Sequence, residues 1–244
     1  MVPSRESPCA ASSLVAPLVD GAPLTLPALV RTAVSVHYAT GDPLRPVLCV
    51  ATPDAVRFPV SVVVHTLPSK GSLRLDGPVL RAGAQSWRVS RWWQPPRPSG
   101  LSVPASVGPP APGVPFLRPS YDALEPALLV GVGPGLTPTG DDVLAAALVA
   151  ARATGDARLG DWLRRTAEVL AARSTTAVSQ GMLAAAVEGY ATPELADYLV
   201  AICAGRPCGA ERDRLLSLGS SSGAALLEGV RHTLSTNLSY RGAA

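Results

Sequence analysis

The stretch 94–120, "QPPRPSGLSVPASVGPPAPGVPFLRPS", divides this chain in two. Proline fixes φ and removes a backbone donor, so a segment this rich in proline and glycine holds neither a helix nor a central strand. The hydrophobic pattern changes across it. Within residues 31–93, the runs "TAVSVHY", "RPVLCVA", "FPVSVVVHTL", "GSLRL", "PVLRAG" and "SWRVSRWW" are short and β-branched or aromatic, and Gly, Pro and Asp turns separate them. Such runs predict an antiparallel sheet or a small barrel.

From about residue 121 the spacing turns helical. "DWLRRTAEVLAAR" sets Trp162, Leu163, Thr166, Val169 and Leu170 at helical intervals. "TPELADYLVAICAG" supplies Thr192 as N-cap, Pro193 at the first helical position and Gly205 as the stop. Further helices are expected from Ala177 to Gly189 and from Gly223 to Leu234. The fold class is therefore α+β: an N-terminal segment 1–30, a β-rich domain 31–96, a connector 97–120 and an all-helical domain 121–244.

Composition narrows the function. A chain of 244 residues, 47% hydrophobic and 16% charged, can bury a sizeable core. Its net charge of +3 is too small to argue for nucleic acid or an anionic membrane. Cys9, Cys49, Cys203 and Cys208 form neither a CxxC pair nor a zinc spacing, so reduced structural thiols are expected. No run approaches the roughly 20 apolar residues of a spanning helix, and the N-terminus lacks a signal-peptide core. These features predict a soluble, cytoplasmic protein.

The densest local signal is "GVGPGLTPTGDD", Gly131 to Asp142, between an apolar run and an alanine-rich helical run. A P-loop is excluded: no Gly-Lys-Ser/Thr follows, and the single lysine, Lys70, lies far upstream. A dinucleotide fingerprint is excluded too, because Leu136 stands where the third glycine is required. The plain alternative is a capping box with Thr139 as N-cap and Asp142 as its N3 partner. Yet capping alone does not require the fixed path that Gly133, Gly135 and their prolines impose. Asp141 and Asp142 would suit a metal ion (Mg²⁺, with waters and substrate oxygens completing its shell), an amide or ammonium donor, or a phosphate bridged by metal or arginine.

Two more polar loops open helices. "RSTTAVSQG" offers Arg173, Ser174, Thr175, Thr176 and Ser179, with a threonine N-cap and a solvated arginine as the plain alternative. "LGSSSGAALLEG" offers Gly219, Ser220, Ser221, Ser222 and Gly223, a turn without carboxylates that suits an anion, or simply a serine-capped helix. If the three starts converge, they form one pocket.

Together the loops resemble a bacterial family typified by the AllH-type subunit associated with oxamate carbamoyltransferase in anaerobic allantoin breakdown. Its hallmark, Gly-x-Gly-x-Gly-Leu-Thr-Pro-Ser/Thr-Gly-Asp-Asp, is matched from Gly131 to Asp142. Thr175, Thr176, Val178 and Ser179 match its second element, and Ser222, Gly223 and Gly229 its last turn. The resemblance covers about 121–230. Ser220 and Ala225 depart from it, since the pattern often carries His and Asp there.

The resemblance implies a cytoplasmic subunit working beside an FdrA-type chain similar to acyl-CoA synthetases and a large companion subunit. The implied reaction is carbamoyl transfer between oxalurate and phosphate, giving oxamate and carbamoyl phosphate in purine nitrogen catabolism. Asp141 and Asp142 would then be the catalytic candidates. Gly133, Gly135, Thr137, Thr139, Gly140, Arg173, Thr175, Thr176, Ser179, Ser220, Ser221, Ser222 and Gly223 would bind a small carbamoyl or carboxylate ligand. A non-catalytic binding or assembly subunit is the alternative role.

Overall fold

The computed structural model describes residues 6–109, 125–172 and 175–241, without the side chains of 237–241. The chain divides into two compact units, Met1–Pro95 and Pro96–Ala244, each with its own apolar core.

The first unit contains β1 (Ser7–Ser12), β2 (Leu24–Leu26), β3 (Ala28–Arg31), β4 (Ser35–Ala39), β5 (Val47–Ala51), β6 (Ser61–Val63), β7 (Leu73–Asp76), β8 (Val79–Ala82) and β9 (Gln85–Trp93). They form a nine-stranded sheet of order β2-β7-β8-β9-β1-β6-β5-β4-β3 that curls into a nearly closed barrel. Each of the six runs quoted above supplies one of β4 to β9. The pleat accounts for the alternation: β7 buries Leu73 and Leu75 and exposes Arg74, and β9 buries Trp87 and Val89 and exposes Arg88.

The pairing is mixed. β1–β9 and β5–β6 are parallel, while the remaining ladders are antiparallel. β1 causes the first exception by filling the slot between β6 and β9 at the centre of the sheet. A bulge at Ser90, whose hydroxyl donates to the Cys9 carbonyl over 3.2 Å, adjusts its register against β9. A 3₁₀ turn (Ser13–Val15) and α1 (Ala16–Val19) then fold Val15, Leu18 and Val19 into the barrel core.

His37 lies buried on β4, with Ser35 Oγ 3.1 Å and Cys49 Sγ 3.9 Å from its Nε2 and the Phe58 ring edge-on. Burial pulls its pKa down to about 4 and pushes that of the Cys49 thiol up to about 12. All four cysteines are free.

The second unit holds α2 (Pro126–Leu129), α3 (Thr139–Thr154), α4 (Leu159–Ala172), α5 (Ala177–Val187), α6 (Pro193–Cys203), α7 (Gly209–Leu216) and α8 (Ser222–Arg241). In α3 every residue except Arg152 is buried, so this helix is the centre about which the others pack. Its alanines permit a close approach. At Gly229 of α8, an added Cβ would lie 2.9 Å from the Ala146 Cβ and collide with the Val143 carbonyl.

α6 begins and ends as its sequence predicts. The Thr192 hydroxyl accepts from Leu195 N–H at 3.4 Å, Pro193 is the first helical residue, and Gly205 has φ 64°. The start of the proline-rich stretch is fastened to this unit. Pro96 O accepts from Ala191 N at 3.0 Å, Arg97 Nε donates to Glu188 O at 2.8 Å, and Leu101 N donates to Ala153 O at 2.8 Å. Residues 110–124, the remainder of the connector and the first turn of the expected helical domain, lie outside the described residues. Among those residues no helix is long and apolar enough to cross a membrane.

Candidate functional site

α3 starts at Thr139 with Pro138 as N-cap, and no side chain caps it there. The capping-box reading of Thr139 and Asp142 is therefore corrected: Thr139 is already helical. The task of holding the turn passes to Asp141, which is fully buried. Its Oδ1 accepts from the Gly131 N–H at 2.8 Å, which folds the glycine-rich loop back over the helix start. Its Oδ2 accepts from the Thr175 hydroxyl, which ties in the loop before α5.

The glycines make this path sterically available. Gly133 has φ 117°, and a Cβ there would stand 2.7 Å from Thr139 N. A Cβ at Gly140 would collide with the Leu129 carbonyl oxygen, so the first turn of α3 presses directly on the end of α2. Gly135 is exposed and has open space around it.

The second loop joins the first at another point. The Thr176 hydroxyl donates to the Leu136 carbonyl and accepts from Ser179 N–H at 3.1 Å, so the same group caps α5 and clasps the first loop. Gln180 Nε2 supports it by donating to Thr175 O at 3.2 Å. Ser179 is buried, and its hydroxyl has no hydrogen-bond partner among the described residues. Arg173, expected beside these threonines, lies outside the described residues together with Ser174.

The third loop reaches the first through Ser222, whose Oγ is 3.0 Å from the Thr137 Oγ1. Ser220 is exposed and Ser221 half-buried. The Gly223 N–H, an expected anion donor, is already spent on Leu218 O at 2.9 Å, because α8 begins in a tight turn against α7. Three helix starts thus meet around the first turn of α3.

Asp142 stands at this junction, only 1% exposed. Among the described residues, one of its oxygens, Oδ2, has no hydrogen-bond partner. Burial raises its pKa to about 7; hydrogen bonding from Ser222 and Thr137 works against the rise, and the charge of Asp141 adds to it. The two neighbouring carboxyls consequently differ. Asp141 satisfies two donors with its two oxygens, whereas Asp142 holds one oxygen in reserve. The pair makes a poor metal cradle, since Asp141 is committed to the protein. Among the described residues no group of three or more His, Cys, Asp or Glu side chains could hold an ion.

Sequence reasoning missed the Gly131 N–H and the Leu136 carbonyl, because main-chain groups carry no residue signature. It named both partners of the Thr137–Ser222 contact without pairing them.

Residues 129–234, which contain all three loops, match the family model described as oxamate carbamoyltransferase subunit AllH. Over these residues, fewer than half of the chain, the sequence is similar to the AllH family. No solved structure matches the chain. The AllH region begins at the end of α2 and runs into α8, so the family's span is the helical core that carries the convergent loops. Ala225 lies one helical turn beyond Ser222 and is fully buried.

Proposed function

We propose that this chain is a subunit of an oxamate carbamoyltransferase-like complex, contributing to it a pocket formed by the starts of α3, α5 and α8. The reaction is attack of phosphate on the carbamoyl carbon of oxalurate. A C–O bond forms, the C–N bond to the oxamyl nitrogen breaks, and that nitrogen takes up a proton, giving oxamate and carbamoyl phosphate. The observation that carries the reading is the convergence of three polar loops on buried Asp142, within the span matched to the AllH family.

Such a reaction depends on orientation and charge placement more than on a covalent nucleophile. The residues suit that demand. In this reading Asp142 would accept from amide donors, Thr137 and Ser222 would supply hydroxyls, and Arg173 would be the cation for carboxylate or phosphate. The complex works in the cytoplasm with an FdrA-type subunit and a large companion, in the breakdown of purine-derived ureides.

A second reading has one specific observation in its favour. Ser220 and Ala225 stand where the resemblance implies His and Asp, which suits a subunit that binds ligand or shapes the assembly without catalysing. Co-expression with the two companions, followed by assay of carbamoyl phosphate formed from oxalurate and phosphate, separates the readings. Activity of the complex that falls at least tenfold with Asp142→Ala here supports the first. Activity unchanged by that substitution supports the second, and absence of co-purification sinks both.

A further inference from the structure

The two aspartates of the Gly-Asp-Asp loop have opposite occupations. We infer that Asp142 is the ligand-reading carboxyl of this pocket and that it takes the planar amide end of a primary amide or ureido compound, while Asp141 is a structural clasp. The inference rests on the carbamoyl-transfer reading for the choice of compounds but not for the assignment of roles.

Geometry separates the two residues. Asp141 divides its oxygens between the Gly131 N–H and the Thr175 hydroxyl, fastening the first loop to the second. Asp142 is as deeply buried, but its Oδ2 has no partner among the described residues. A buried carboxyl oxygen without a donor is costly, and the cost is relieved when a ligand brings one. Beside it stand Thr137 and Ser222, bonded to each other at 3.0 Å and each able to donate or accept.

The character of the missing partner follows from what surrounds the group. An anion would meet a second negative charge when Asp142 is ionised. A metal ion would find one carboxyl in place of several, since Asp141 is engaged. A primary amide offers an N–H and a C=O side by side, and a carboxyl can accept from the first while its protonated form donates to the second. With a pKa near 7, both forms of Asp142 are accessible at neutral pH. Hydroxyls at Thr137 and Ser222 can satisfy whichever amide atom Asp142 leaves.

Calorimetric titration of the full chain at pH 8 with oxamate, oxalurate, N-carbamoylglycine and oxalate tests this. Oxamate and oxalate differ in one end group, amide against carboxylate, so wild-type protein is expected to bind oxamate at least tenfold more tightly. Asp142→Ala is expected to lower amide affinity at least tenfold and to close that gap. Asp142→Asn keeps a donor and an acceptor, so affinity should stay within about threefold, whereas a role based on charge would be lost in both variants.

Thermal melting of each variant guards against misfolding. Should Asp142→Ala fail to fold, the oxamate-to-oxalate ratio of wild type and the Asp142→Asn result decide. Binding of N-carbamoylglycine through Asp142, with no binding of oxamate or oxalurate, would uphold the inference and remove the carbamoyl-transfer substrate. Equal affinity for oxamate and oxalate, amide affinity indifferent to Asp142→Ala, or no binding of any amide or ureido probe would overturn it.

Discussion

Asp142 stores free energy in its unmet bonding. A carboxyl whose folded pKa lies near 7, against an ordinary value of 3.8, binds a proton in the folded state that the unfolded chain has already released. Stability therefore falls as pH rises from about 4 to about 7 and levels off above, a loss of up to about 4 kcal/mol if the carboxyl ionises fully in place. The groups responsible are the apolar surroundings and Asp141, with Thr137 and Ser222 opposing them. Asp142→Asn is expected to melt at a higher temperature than wild type at pH 8, by several degrees, with a smaller advantage at pH 5. Denaturant titration of both proteins at the two pH values measures it. An aspartate serving only as a helix cap would show the reverse, since its removal would destabilise most where it is charged.

At the level of elements, much was legible and the gaps have physical causes. Strands β4 to β9 announced themselves through β-branched alternation, and α6 through Thr192, Pro193 and Gly205. β1 did not, because "SPCAAS" has no β-branched residue and owes its strand conformation to partners on both sides. α7 was missed as well: "GAERDRLL" is polar on most faces and buries only Leu215. The polar starts of α3, α5 and α8 were read as candidate loops from composition, whereas the exchange of roles between Thr139 and Asp141 depended on a backbone N–H ten residues back.

The sheet carries its own pH response through His37 on β4. Its pKa of about 4 lies below the ordinary 6.5, so the unfolded chain binds the proton first. The stability contributed by the neutral imidazole is present above about pH 6.5 and is lost as pH falls towards 4. The fluorescence of Trp87, Trp92 and Trp93 should report a loss of denaturant resistance over that window. His37→Leu should flatten the response, and an unchanged slope would show that other groups control it.

For the molecule as a whole, the boundary between Pro95 and Pro96 separates two cores of different construction. A chain of residues 96–244 is expected to fold alone, with a helical circular dichroism spectrum and one cooperative melt. A spectrum lacking helix would show that the first 95 residues are required for it. This piece contains the whole AllH span and keeps the ties of Pro96, Arg97 and Leu101 to the helical unit.

The place of β1 at the centre of the sheet sets an order of events during synthesis. The earliest made of these nine strands, β1, pairs with β6 and β9, and Ser7 finds its partner only at Trp87. Until the ninth strand emerges, β1 has one neighbour at most, and the barrel waits with an open seam. Closing it requires ends that are distant in sequence to meet, which slows folding relative to local hairpins such as β7–β8. A nascent chain stalled before residue 85 would therefore carry exposed β1 and β8 edges, available to chaperones or to a neighbouring copy. The helical unit is made only after this seam can close, so the proline-rich stretch also marks a pause in time between two folding events.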